Sequence, residues 1–396
     1  MAPDKSVIVV GAGPVGLLTG LRLAKAKIPT TILEMLPQIE NSPRAAVYHP
    51  VAVQELDRAG VLADCREIGL SSTKIAFRKL NGDIIAAMER QPTPEEPYEN
   101  LILGQHELAE VIMKHFKECE TSRVLFEHKV IAIQQEETEA IVEVETKDGK
   151  IQMQAAYVVG ADGGRSTVRR LAGVEWEGFT WDVQIVATNV VYPFERFGYT
   201  TGNQIVHPDH FAVIALLNRA GLWRVSYAEK TGLSDEELRK RLCDKYEALF
   251  PGPRPLEYHL KMFSPYLLHQ KCASSFRIGR ILLAGDAAHL CNPFGGLGLT
   301  GGLLDAGALG DALVAVLKQG INEDILNRYA QVRRDVFKKV IDPASQGNLL
   351  RLWKADPETV GDTDPFFRIL READPTAREK VRGLGELRVD ILQGDV

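Results

Sequence analysis

The hydrophobic pattern changes period twice within the first thirty-four residues. Val7, Ile8, Val9 and Val10 form a continuous β-branched run that reads as a buried parallel strand. The run enters Gly11-Ala12-Gly13-Pro14-Val15-Gly16 directly, after which Leu17, Leu18, Leu21 and Ala24 recur at helical spacing. Pro29-Thr30-Thr31-Ile32-Leu33 then predicts a second strand that ends in Glu34. Two later apolar strand ends run into glycine and acid, Val158-Val159-Gly160-Ala161-Asp162-Gly163-Gly164 and Ile281-Leu282-Leu283-Ala284-Gly285-Asp286. Between them the apolar positions alternate, as in Val183, Ile185 and Ala187, then Phe211, Val213 and Ala215, then Trp223, Val225 and Tyr227, which predicts sheet. A helix over 234–250 is introduced by the capping-box pattern Ser234-Asp235-Glu236-Glu237. Helical spacing returns at Leu303 and runs through Ala306, Leu309, Ala312, Leu313, Val316 and Leu317. From Lys354 onward charges of both signs and three prolines predict short solvated helices or a loosely docked arm.

Composition narrows the class. The 396 residues are 45% hydrophobic and 25% charged, an ordinary globular balance long enough for two or three packed units. A formal charge of -6 supplies no field for phosphate backbones or anionic lipid, so no nucleic-acid partner is expected. The five cysteines, at 65, 119, 243, 272 and 291, have no C-x-x-C spacing and read as reduced thiols, which predicts a cytoplasmic protein without a metal site. The first apolar run is too short for a signal-peptide core, and no uncharged stretch reaches the ~20 residues of a membrane span, so no integral membrane segment is expected.

The 34 glycines carry the chemistry where they cluster. Strand, G-x-G-x-x-G, helix and terminal acid together form a dinucleotide-binding fingerprint. Gly11 permits the tight turn, Gly13 lets backbone approach a pyrophosphate, Gly16 lets helix pack on strand, and Glu34 accepts from a ribose diol. The pyrophosphate would lie on the helix N-terminus, where unpaired N–H groups and the macrodipole favour negative charge. A second match at Gly296, Gly298 and Gly301 lacks the adjacent strand and following acid and is read instead as a loop ending in a helix N-terminus.

The fingerprint, Asp162-Gly163 and Gly285-Asp286 in this order resemble the paired motifs of the class A flavoprotein monooxygenases, the para-hydroxybenzoate and phenol hydroxylase family, over about residues 5–345. The resemblance implies an α/β fold with a Rossmann-type, glutathione-reductase-like FAD-binding domain built from 1–70, 98–180 and 270–345. A sheet substrate domain from 71–97 and 181–269 is inserted in it, and a helical tail follows over 346–396. It implies FAD contacts at Asp286 and at Asp162 backed by Arg165 and Arg169. Further contacts are implied at Arg44, at Gln105 where a helix starts, at Val130 at the end of a short strand, and at Gly298, Leu299 and Thr300 in the glycine loop. Leu297, Thr300 and Gly301 stand where the family usually carries Gln, Asn and Thr.

The activity so implied is hydroxylation of a phenolic or other electron-rich aromatic or polyketide-like molecule, in secondary metabolism, by a monomer or homodimer. NADPH or NADH reduces FAD, O2 adds, and a flavin hydroperoxide delivers one oxygen atom. The alternative is a flavin-dependent reductase or dehydrogenase without oxygen insertion. Arg224 and Pro293 match family positions beside the flavin. Tyr199, His207, His210, Tyr227 and Tyr266 are the candidates for a base that deprotonates the phenol, with Tyr227 and His210 foremost.

Overall fold

The computed structural model describes residues 5–41, 46–89, 92–94, 97–372 and 384–393. The first β-branched run becomes the middle of a parallel sheet. Val7–Val10 pairs in parallel with Tyr157–Gly160 on one side and Thr30–Leu33 on the other. Ile281–Leu283 and Ser122–Leu125 extend the two flanks in parallel, and Arg277–Ile278 closes one edge antiparallel. The central strands are buried along their whole length, as strands covered on both faces must be. Helices Pro14–Lys25, Gln105–Lys117 and Leu297–Gln319 pack into the same core.

Strand order reverses between Val7–Val10 and Tyr157–Gly160, because the chain goes from the first strand to one neighbour and only later returns on its other side. In an open α/β sheet this switch point opens a crevice beyond the carboxyl ends of the strands. Gly11, Glu34, Asp162 and Asp286 all follow such ends.

A second sheet has eight strands, ordered His289–Leu290, His259–Ala273, Trp176–Val191, Leu222–Glu229, Ala212–Leu216, Gly202–Ile205, Lys74–Arg78 and Ile84–Glu89. Within it only Gly202–Ile205 and Lys74–Arg78 run parallel. Helix Asp235–Leu249, capped by Ser234 and Glu237, shares a core with Trp223, Val225 and Tyr227 from this sheet.

Three local expectations are corrected. The glycine-rich helix starts at Leu297, not near Leu303, so Gly298, Gly301 and Gly302 lie in its first two turns. The reason is close packing: a Cβ on Gly301 would stand 2.7 Å from Ile341, and one on Gly302 would stand 2.8 Å from Val15. Val130 opens the strand Lys129–Gln135 rather than ending one. The described part of the tail from Lys354 is helical but neither solvated nor loosely docked, because Val360, Phe367 and Leu370 share a core with Leu349, Leu352, Phe77, Phe211 and Phe294. Among the described residues Leu297–Gln319 is long and apolar enough to cross a bilayer, but most of it is buried inside the molecule.

Candidate active site

A cavity of about 1890 Å³ runs from the switch point to the face of the eight-stranded sheet. Single small-molecule sites occupy roughly 300–1,000 Å³, so this space takes a large cofactor and a second molecule beside it. The three fingerprint glycines divide the work. Gly11 has φ +107°, and a Cβ there would lie 2.4 Å from the Ala161 carbonyl oxygen. A Cβ on Gly16 would lie 2.1 Å from the Gly11 carbonyl oxygen, so both residues are fixed by close backbone approach. Gly13 meets nothing within 4 Å and lines the cavity, which leaves its backbone open to a ligand. Pro14 occupies the first helical position, where its missing N–H costs no hydrogen bond. Glu34 lines the same end, its carboxylate held by the backbone N–H groups of Ala12 and Leu36, each at 2.9 Å.

Asp286 is exposed to the cavity on a short 3-10 turn, Gly285–Ala287. Gln105 begins the helix Gln105–Lys117, whose preceding Gly104 N–H donates to Glu107 at 2.9 Å, and it lines the cavity with Val130. Asp162 lines the cavity too, but its carboxylate accepts from Ser166 Oγ and from the Thr167 and Val168 N–H groups at 2.6 and 3.1 Å. Burial pushes this carboxyl above its ordinary range, against those hydrogen bonds. Arg169 ties the two motif turns together by donating to the Gly164 and Ala287 carbonyls at 2.9 Å, with its guanidinium 3.7 Å from the Trp176 ring centroid. Arg165 also lines the cavity. Arg44 lies outside the described residues.

Pro293, Gly295, Gly296, Gly298 and Leu299 form the wall where the helix Leu297–Gln319 begins. Thr300 is instead buried behind that wall and donates to the Gly296 carbonyl at 2.9 Å. Cys291 lines the cavity with its thiol pushed up to about 12 by burial and by Asp286, so it stays protonated. All five cysteines are free.

Strand alternation sorts the remaining candidates. Arg224 and Ser226 line the cavity, whereas Trp223, Val225 and Tyr227 belong to the core on the other face. Arg224 Nε donates to Asn189 Oδ1 at 2.6 Å, and burial lowers the guanidinium to about 10, partly opposed by Tyr266, so it remains a cation at neutral pH. Tyr227 is fully buried against Tyr246, and burial holds its phenol well above the ordinary range. His210 lies against His207, with ring centroids 5.0 Å apart and ring planes tilted by 51°, outside the cavity. The structure therefore does not bring Tyr227 or His210 to the site, and of the five base candidates only Tyr266 lines it.

Two features had no place in the sequence reading. Asp305, fully buried in the helix Leu297–Gln319, accepts from Gly285 N at 3.0 Å, His289 Nε2 at 2.7 Å and Arg333 Nε at 2.7 Å. Arg333 also donates to the carbonyls of Gly301 and Leu387, so one carboxylate braces the turn that presents Asp286 and the start of the glycine-rich helix. A carboxylate placed among Leu303, Leu304, Ala306 and Leu309 was the available signal, since a charge on a buried face needs partners. His49, lining the cavity, donates from Nε2 to the Gly295 carbonyl at 2.5 Å and so holds the opposite loop.

Comparison with known proteins agrees with this geometry. The FAD binding domain family model matches residues 4–344. The chain is 41% identical over 366 residues to para-nitrophenol 4-monooxygenase of Pseudomonas sp. (strain WBC-3), covering 91% of each chain. It is 35% identical to 6-hydroxy-3-succinoylpyridine 3-monooxygenase of Pseudomonas putida (strain DSM 28022 / S16), covering 90% of this chain and 91% of the relative. The crystal structure of p-nitrophenol 4-monooxygenase from Pseudomonas putida DLL-E4 superposes with a TM-score of 0.92 at 38% identity, over 98% of this chain and 99% of that one. The glycine cradle and the convergence of strand ends fit a bound FAD, and the chain belongs to the FAD-binding family of class A aromatic hydroxylases.

Proposed function

We propose that this FAD-dependent aromatic monooxygenase oxygenates a phenol at the ring carbon para to the hydroxyl, where that carbon carries an electron-withdrawing substituent. The observation that carries this reading is one cavity joining the FAD cradle to a sheet face where apolar side chains, Ile75, Phe77, Met88, Val213 and Ala215, stand beside polar ones such as Gln204, Arg224, Ser226 and Tyr266. The names of both relatives above support the position of attack. In each, the oxygenated ring position is the one that bears the nitro or succinoyl group, opposite a hydroxyl.

Bound FAD supplies the two-electron chemistry that activates O2 at the expense of NADPH or NADH. For 4-nitrophenol, one O2 and one NAD(P)H would balance: one oxygen atom bonds to C4 as the C4–N bond breaks and nitrite departs, leaving 1,4-benzoquinone, and the other oxygen atom leaves as water. The chain's own residues bind, orient and exclude water. The N–H groups at the start of Pro14–Lys25 would take the pyrophosphate and Glu34 a ribose diol. Asp286, Gln105, Asp162 and Val130 would hold the rest of the cofactor in the crevice. The N-terminus at Gly296–Leu299 would place N–H dipoles toward negative charge on the ring system. The Arg224 cation favours the phenolate form of the substrate, which raises the electron density of the ring, and the Pro293 wall keeps water from the reacting face. The test is product analysis with 4-nitrophenol, O2 and NAD(P)H: a product oxygenated at C4 supports the reading, and one oxygenated only ortho to the hydroxyl refutes it.

A further inference from the structure

The sheet face over the cavity is apolar at Ile75, Phe77, Met88, Val213 and Ala215, and among the polar residues that line the cavity with them, such as Arg224, Ser264 and Tyr266, are Gln204 and Ser226. Strand register puts these two on either side of one small residue: Gln204 pairs with Val213, and Val213 pairs with Ser226. Adjacent strands lie ~4.8 Å apart, so the Gln204 and Ser226 backbones are separated by roughly 10 Å across Val213. Beyond Gln204 the same row is closed by Phe77. Neither side chain hydrogen-bonds to another described residue; Ser226 is buried, Gln204 is partly exposed, and both line the cavity. A ligand that displaces water from these two groups must offer them hydrogen-bond partners, or their desolvation goes uncompensated.

The two ends of the row differ in charge. Arg224 stands two residues from Ser226 on the same strand and the same face, roughly 7 Å away along the strand, so the Ser226 end is electropositive. Around Gln204 the neighbours Phe77 and Val213 are neutral. An aromatic ring over Val213 with a polar group at each end would therefore put its anionic oxygen toward Ser226 and a neutral acceptor toward the Gln204 amide.

We propose that Ser226 and Gln204 are specificity-determining residues that hold the two ends of a para-substituted phenolate, the Ser226 hydroxyl donating to the phenolate oxygen and the Gln204 amide to the acceptor substituent. This rests on the reading of the chain as a para-directed phenol oxygenase. The test compares kcat/KM for 4-nitrophenol and 4-methylphenol, and the dissociation constant of each from the change it makes in flavin absorbance, in wild type, Gln204→Leu and Gln204→Glu holoenzymes of equal FAD content. A neutral hydrogen bond is worth roughly a two- to tenfold effect, so Gln204→Leu should lower the nitro-to-methyl preference about fivefold in both measurements. Gln204→Glu keeps the size but sets acceptor against acceptor, and the preference should fall more than tenfold. A preference unchanged in both variants overturns the assignment while leaving para oxygenation standing. A wild-type enzyme that oxygenates neither phenol overturns the parent reading instead.

Discussion

Replacing Asp305 by Asn tests whether the buried charge network holds the cofactor turn. Asp305 is 0% exposed, and His289 and Arg333 are each 1% exposed. Three donors converge on its two oxygens, from Gly285, His289 and Arg333. An amide of the same size offers one oxygen and turns its NH2 toward a donor, while Arg333 keeps its charge with no counter-ion. Breaking a buried pair in this way costs about 3–5 kcal/mol, a large part of the ~5–15 kcal/mol that holds a typical protein folded. For a chain of this size that corresponds to a fall in Tm of roughly 4–6 °C. Thermal unfolding followed by far-UV circular dichroism and by release of flavin fluorescence measures it. Glu145→Gln, at a half-exposed pair with Lys129 3.1 Å away, should cost less than about 1 kcal/mol under the same conditions. The pH dependence has a definite sign. Burial alone would raise the Asp305 carboxyl, but His289 and Arg333 outweigh it and hold the group at about 2. Its folded value therefore lies below the unfolded value near ~3.9. The stabilisation is complete above about pH 4 and disappears as pH falls toward 2, and Asp305→Asn should lack that component. A Tm for Asp305→Asn within about 1 °C of wild type, with unchanged flavin release, would refute the bracing role.

The other predictions concern the cofactor cradle and the residue moved away from it. Gly11→Ala should destabilise the FAD-free protein by more than about 2 kcal/mol, since it combines a positive φ with a 2.4 Å backbone clash, whereas Gly13→Ala should leave FAD-free stability alone and weaken FAD binding at least tenfold. Paired unfolding curves and FAD titrations separate the two, and equal behaviour would sink the division of roles. Glu34→Ala and Asp286→Ala should each reduce FAD retained through gel filtration, and full retention by both would contradict their placement on the cofactor. Tyr227→Phe should keep kcat/KM within about twofold and leave stability unchanged or slightly raised, because the buried hydroxyl has no hydrogen-bond partner. A hundredfold loss of turnover would return Tyr227 to the site.

Much of this site was legible before any fold was known, for a physical reason. Phosphate-binding turns need glycines at fixed offsets from a buried strand, and both are strictly local features, so Gly11, Gly13, Gly16 and Glu34 could be read from one segment. Asp286 was legible because a fully apolar strand delivers it to the crevice. The sheet over the cavity was harder, although period-two alternation already placed Arg224 and Tyr227, three residues apart, on opposite faces. Both could not face one ligand. The Asp305 network joins helix, turn and C-terminal segment across more than eighty residues of sequence, and no local pattern specifies such partners. The docking of the tail helices into the core was missed because their charge and prolines mask the few apolar residues, Phe367 and Leu370 among them, that reach it.

Insertion of one atom of dioxygen into a phenol at the expense of NAD(P)H is the activity on which these site assignments converge. Turnover of 4-nitrophenol under oxygen-18 gas, with ascorbate present to keep the product as a stable hydroquinone, tests it most directly. The expected result is one labelled oxygen per product molecule, bound at C4, with one nitrite released and one NAD(P)H consumed per product, the quinone first formed being reduced to hydroquinone by ascorbate. Product carrying only unlabelled oxygen, or NAD(P)H oxidation that yields no oxygenated product with any phenol, would contradict it.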